Sequence, residues 1–297
     1  MAKDGEPNIR SRQLGDRLLQ LMAEKHFGVR EMARRLGMSP QWVSAVTRGL
    51  TRPDPVDVAR ILTVLNVKGE DYEELLALCG ELRKPGLLEQ HGARLPSQLR
   101  TLIWHEERAT SIAQFQYCAV PGLLQTADYA RSFITETGNA PMPDDIDERV
   151  FARMSRQVLL TQRPLIQFSF FLHEFALRLP VGREVKAVMH GQLAQLRMVA
   201  ERPNVSIRIV PASRGGHPAT AGHFKVIESA AFRPVVYIDS EVSSLYLEEA
   251  AEIKAYRRVL SGLDEVALDE AESKEFVAEV AGELYSSGAQ QDVGHLA

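Results

Sequence analysis

Cysteine is nearly missing from this chain: Cys79 and Cys118 are the two in 297 residues, and no CxxC spacing joins them. That argues against a disulfide framework or a structural zinc site, and a reducing compartment is expected. No apolar run approaches the roughly 20 residues of a membrane span. The first residues, MAKDGEPNIRSRQ, have no apolar signal core, so a cytoplasmic, nucleoid-associated protein with no membrane contact is expected. A strong excess of one charge is also lacking, since the formal net charge is -4. This argues against a protein that coats nucleic acid along its whole surface. Catalytic signatures are equally scarce. There is no GxSxG, no GxxxxGK and no GxGxxG. His105-Glu106 and His173-Glu174 each begin like HExxH, but neither has the second histidine four residues on. No catalytic residue, metal ligand or cofactor is assigned, and the chain is expected not to be an enzyme.

What is present is unevenly distributed. From Arg10 to Asn66 there are ten Lys or Arg against five Asp or Glu, so the remainder is acidic. A basic head on an acidic body suits a protein that meets DNA at one end. Within the head, Arg30 to Gly49 reads as two short helices around a tight turn. Met32, Ala33 and Leu36 form the inward face of the first, with Arg30, Arg34 and Arg35 outward. Gly37 supplies the positive φ that ends it. Ser39 is placed as an N-cap and Pro40 at the first helical position. The second helix turns Val43 and Val46 inward, leaving Gln41, Trp42, Ser44, Ala45 and Arg48 outward. Ala33 is small enough for the two helices to approach closely.

Along the whole chain, residues 1–9 read as a flexible tail and 10–83 as five helices. Residues 84–95 read as a linker, 96–285 as a mixed α/β body and 286–297 as a disordered tail. The expected fold is therefore an all-α five-helix domain followed by a larger α+β domain. In the body, helices are expected at 96–112, 123–136, 144–161 and 182–201, with two more at the end. Strands are expected at 114–120, 165–173, 205–210, 224–227, 235–238 and 244–247. Val235 to Ile238 is almost wholly apolar and reads as an interior strand. Phe168, Phe170, Phe171 and Phe175 read as core, as does Trp104. His217 and His223, with His173, Tyr237 and Gln125, are weak candidates to line a site for a polar ligand or partner. The plainer interpretation of the histidines is turn residues with satisfied hydrogen bonds.

The Arg30 to Gly49 stretch resembles the Xre/Cro-type helix-turn-helix, whose second helix lies in the major groove. The resemblance implies base contacts from Ser39, Gln41 and Ala45, with Arg30, Trp42 and Ser44 in the same interface. Gln41 has the amide needed to pair bidentately with adenine. Arg48 and Arg52 look like phosphate contacts, which set register without reading sequence. The body is similar to the C-terminal domain of a large bacterial family of Xre-type regulators described as antitoxin-like. That similarity rests on PGLLQT at Pro121 to Thr126, Asp128-Tyr129-Ala130, ERPNV at Glu201 to Val205, and His217-Pro218. It continues through Gly222-His223-Phe224, Val236-Tyr237 and Ala267-Leu268. Asp239 stands where the family usually has Glu. The family implies a transcriptional regulator of a double-stranded operator, with a small protein partner encoded nearby. Two function classes follow. One is a regulator whose body senses a small ligand or a protein; the other is an antitoxin-like protein that sequesters its partner and binds DNA to regulate itself. An enzyme with a DNA-binding head would need a converging site around His173, His217 and His223. A homodimer is expected because one such module reads only a half-site.

Overall fold

The computed structural model describes residues 8–82, 87–90, 95–137, 143–162, 165–240 and 243–285. Five helices come first: α1 Ile9–Glu24, α2 Val29–Leu36, α3 Pro40–Thr47, α4 Pro55–Val64 and α5 Glu70–Gly80. Local signals fix their ends. Asn8 and Ser11 form a reciprocal capping box at the start of α1. Gly37 ends α2 with φ 68°, Pro opens α3 and α4, and Glu70, Asp71 and Glu73 occupy the first turn of α5, where a helix favours negative charge. Their apolar faces meet in one core built on Leu14, Leu18, Met22, Met32, Val43 and Ile61.

The remaining elements are β1 Leu87–Gln90, α6 Leu95–Glu107, β2 Ser111–Gln116, α7 Ala127–Glu136, α8 Pro143–Arg156 and α9 Val158–Gln162. They continue with β3 Gln167–His173, α10 Phe175–Arg178, α11 Val185–Val199, β4 Val205–Val210 and β5 Phe224–Glu228. The last are β6 Val235–Asp239, β7 Ser243–Leu247, α12 Ala250–Val266 and α13 Glu270–Tyr285. The strands form a seven-stranded sheet in the order β1-β7-β6-β5-β2-β3-β4. β2 runs parallel to β3, and β3 to β4, each connected through helices. β2 is antiparallel to β5, with Gln114 opposite Lys225 and Phe115 opposite Phe224. Because side chains alternate along a strand, Gln114 and Lys225 share one face of the sheet, and Phe115 and Phe224 share the other.

By contacts the chain divides into two compact units. The first comprises Met1–Glu89 with two later segments, Ala231–Val235 and Leu245–Ile253; the second holds the rest. No helix among the described residues is long and apolar enough to cross a membrane.

Several expectations need correction. Residues 1–7 and 286–297 lie outside the described residues, but Asn8 and Ile9, expected in a flexible tail, are buried. Asn8 donates to the Leu82 carbonyl at 2.7 Å, and Ile9 N–H is received by Glu248. The expected linker 84–95 contains the strand β1. The expected helix 123–136 is a 3-10 turn, Gly122–Leu124, and then α7, because Thr126 is spent as an N-cap on Tyr129 N–H. Phe175 is not core: it is 45% exposed. It follows the end of β3 on the short α10, where the strand's alternation no longer governs which way it faces.

Candidate nucleic-acid interface and a buried polar cluster

The turn between α2 and α3 is built by Gly37 in the left-handed region, then by Ser39, whose Oγ accepts Trp42 N–H at 3.1 Å. These two devices aim α3. Ser39, Gln41 and Arg48 are exposed, while Trp42, Ser44 and Ala45 are half-buried, with Trp42 packed against the helical core. Arg48 is folded back, its Nε donating to the Ser44 carbonyl at 3.2 Å. Arg30 is exposed on α2, and Arg52 is half-buried with a buried Nε that has no hydrogen-bond partner among the described residues. The far end of α3 lies hard against α1. A Cβ on Gly49 (φ 63°) would sit 2.4 Å from Arg12 Cα, and one on Gly15 would sit 2.6 Å from the Gly49 nitrogen. Two glycines therefore permit a backbone contact that no side chain would allow.

The ten basic residues of the head do not have equal roles. Arg12 is buried and bonded to Glu248 at 3.1 Å. Arg10 pairs with Glu81, Arg17 with Asp71, and Arg60 with Asp57. Glu31 accepts from both Arg34 and Arg35, and these hydrogen bonds hold its carboxyl below the usual range. Lys25, Arg30, Arg48 and Arg52 have no acidic partner among the described residues. Three of these four are exposed.

In the second unit the sequence-selected residues fall into two groups. On the Phe115 face of the sheet, His173 and His217 stack with ring centroids 5.7 Å apart, flanked by Tyr117 and Phe175. His173 Nδ1 accepts Phe175 N–H at 3.2 Å and His217 Nδ1 accepts Ala219 N–H at 3.3 Å. Both rings are thereby held as neutral Nε2–H tautomers. Burial pulls both pKa values below the ordinary histidine range, and at His173 the neighbouring His217 adds to it.

The other group is on the Gln114 face. Glu106, fully buried, accepts two hydrogen bonds from Arg156, at 2.7 and 2.9 Å, and another from Lys225. Burial alone would raise this carboxyl; Arg156 and Lys225 outweigh it and hold it at about 2. The Lys225 ammonium lies 6.0 Å from the centre of the Tyr237 ring. Tyr237 Oη and Ser244 Oγ are 3.1 Å apart, and Ser244 donates to Asp239. Gln125 donates to the Val120 carbonyl and accepts from Arg153, both at 2.7 Å. His223 belongs to neither group closely; its Nε2 is 2.9 Å from the Asp239 carbonyl. The five weak candidates thus do not converge on one pocket. Among the described residues no set of three His, Cys, Asp or Glu is arranged to hold a metal ion.

Arg149, Arg153, Arg156 and Lys225 were not singled out by the sequence, and Glu106 was met there only in an incomplete HExxH. Two signals were available: Lys225 interrupts an apolar strand, and three arginines recur on α8 at spacings of four and three.

Residues 13–75 match the family model of a helix-turn-helix domain. Residues 99–279 match that of a domain of unknown function, DUF5753. The first makes α1 to α5 a helix-turn-helix domain. The second spans more than half of the chain, so the protein belongs to the DUF5753 family. No curated protein matches the chain. One solved structure is similar: that of TrmBL2, an archaeal chromatin protein described as showing a novel mode of DNA binding. The likeness covers 86% of this chain and 99% of that one, at 11% identity and a TM-score of 0.29.

Proposed function

We propose that this protein is a sequence-specific transcriptional regulator of Xre type that binds double-stranded operator DNA as a homodimer in the cytoplasm. In this proposal its α/β body has no enzymatic role and responds to a ligand or protein partner. The observation that carries it is the pairing of an exposed Gln41 with a turn that leaves the start of α3 open. Gly37 and the Ser39 cap leave Ser39 and Gln41 exposed, where a recognition helix meets base edges. Arg30, Arg48 and Arg52 surround it as phosphate contacts, and among the described residues they have no carboxylate partner while the other head arginines are paired. Trp42, Ser44 and Ala45 complete the interface as packing and close-approach residues.

The test is selection of bound duplexes from a random pool by the full chain, followed by sequencing. Wild type should enrich a two-fold site with half-sites about 10 base pairs apart. Gln41→Ala should lose about 1–3 kcal/mol on that site and relax one base position in each half. An unenriched pool overturns the reading, as does sedimentation of the DNA-binding species as a monomer.

A further inference from the structure

The carboxyl end of α3 is set down on the first turn of α1. Gly49 N–H donates to the Val46 carbonyl at 2.9 Å and Leu50 N–H to the Ala45 carbonyl at 2.8 Å. These two bonds close α3 in a Schellman motif on the left-handed Gly49. The Gly49 carbonyl then accepts from Ser11 Oγ at 3.2 Å. A Cβ on Gly49 would meet Arg12 Cα, the Ser11 carbonyl and the Arg12 nitrogen at 2.4, 2.7 and 2.8 Å. Backbone thus rests on backbone, with no side chain between to absorb a shift.

The same turn of α1 is held by residues far along the chain. Glu248 lies in the two-residue connection between β7 and α12. Its carboxylate accepts from the Ile9 N–H and from Arg12 Nη2, at 2.9 and 3.1 Å. The Arg12 guanidinium carbon is 5.1 Å from the centre of the Phe232 ring. Arg12 and Glu248 are both buried, and with Phe232 they belong to the same compact unit as α1 to α5. Ile9, Ser11, Arg12 and Glu248 lie outside the residues 13–75 that match the helix-turn-helix model, so the hold on α3 is built in part from beyond that motif.

α3 has eight residues and is about 12 Å long, so a tilt of roughly 10° at Gly49 carries Gln41 about 2 Å. Base readout does not survive such a displacement, because its hydrogen-bonding groups must be held to about 0.5 Å. Contacts to phosphate tolerate it, since they follow a repeating backbone charge.

We propose that Glu248 and Arg12 are positioning residues for DNA reading: their buried pair fixes the first turn of α1, and that turn sets the angle at which α3 presents Gln41. The proposal rests on the regulator reading and adds to it a control over base readout exerted from the β7–α12 connection.

The test compares binding of the full chain to the enriched duplex and to a random one. Glu248→Gln keeps the size of the side chain and one acceptor oxygen but removes the charge. With folding verified by circular dichroism and the assay run well below Tm, it should lower the specific-to-random affinity ratio by about 10-fold, the equivalent of one base contact. Affinity for the random duplex should be unchanged. Leu75→Ala opens a cavity in the α5 part of the same core; it should lower Tm and leave the ratio alone, which separates positioning from lost stability. If Glu248→Gln does not fold, Arg12→Lys keeps the charge, removes the planar fork and should still lower the ratio. An unchanged ratio in the folded variant overturns the proposal, as does an equal fall in Leu75→Ala. If wild type enriches no duplex, the regulator reading falls and this proposal with it. If wild type enriches a site and the variants keep its ratio, this proposal falls alone.

Discussion

Arg12 and Glu248 are 236 residues apart in sequence, yet form a buried ion pair at 3.1 Å, and the same carboxylate receives the Ile9 N–H at 2.9 Å. Burial works to lower the Arg12 pKa, and Glu248 opposes it. The start of α1 is thus capped by a residue from the segment Leu245–Ile253, within the first compact unit. Glu248→Ala should destabilise this unit by about 3–5 kcal/mol, since it removes the buried carboxylate that the Arg12 guanidinium and the Ile9 N–H share. Chemical denaturation of the full chain checks this; a loss under 1 kcal/mol would contradict the buried pair.

The contact of α1 with the end of α3 gives a second prediction. Gly49→Ala puts a methyl group against backbone and requires a left-handed conformation, so about 1–3 kcal/mol should be lost. Gly37→Ala has the same conformational penalty but open space, and should cost about 1 kcal/mol. The difference between the two variants isolates the clash from the φ requirement.

Arg48 and Gln41 should behave differently on DNA. Arg48→Ala should weaken binding to specific and random duplexes alike, and reduce the slope of log affinity against log salt by about 1. Equal losses of specificity from Arg48→Ala and Gln41→Ala would contradict the division between positioning and reading residues.

The stacked histidines predict a fall in stability on mild acidification. Both folded pKa values lie below the unfolded value of about 6.5. Between the folded and unfolded values the unfolded chain therefore holds more protons, so stability is full above that value and declines as pH drops below it. Protonation also turns each Nδ1 from acceptor to donor against the backbone N–H of Phe175 or Ala219. Thermal midpoints between pH 7.5 and 5.5 should flatten in His173→Gln with His217→Gln; an unchanged slope would count against the pair.

Glu106 predicts a separate acid limb. Its folded value of about 2 lies below the unfolded value of about 4.3, so its contribution is present above pH 4.3 and lost as pH falls toward 2. Glu106→Gln should cost about 3–5 kcal/mol at neutral pH, leaving Lys225 and Arg156 without their shared counter-charge. Measured stability of the variant and wild type should converge on acidification.

The helical head was legible because its signals are local. A glycine after Leu36, a serine before Pro40 and apolar residues one turn apart each act over three or four residues. The strands of the body were legible for the same reason, through alternation in Phe168 to Leu172 and Val205 to Ile209. Phe175 was misjudged because it sits where one period gives way to another. His173 and His217 were noticed singly; the sequence had no means of stacking them while sending Tyr237 to the other face.

Residue order alone determined a helix-turn-helix, the exposed Gln41 and the basic bias of the head, since near-neighbour geometry and the sum of charges need no tertiary contacts. Folding alone decided which of those charges are free. Arg12 and Arg30 contribute equally to a count, but one is sealed against Glu248 and the other faces solvent. The Glu106, Arg153 and Lys225 cluster likewise exists only in three dimensions. It joins residues up to 119 positions apart, and neither burial nor the balance of neighbouring charges can be read from spacing along a chain.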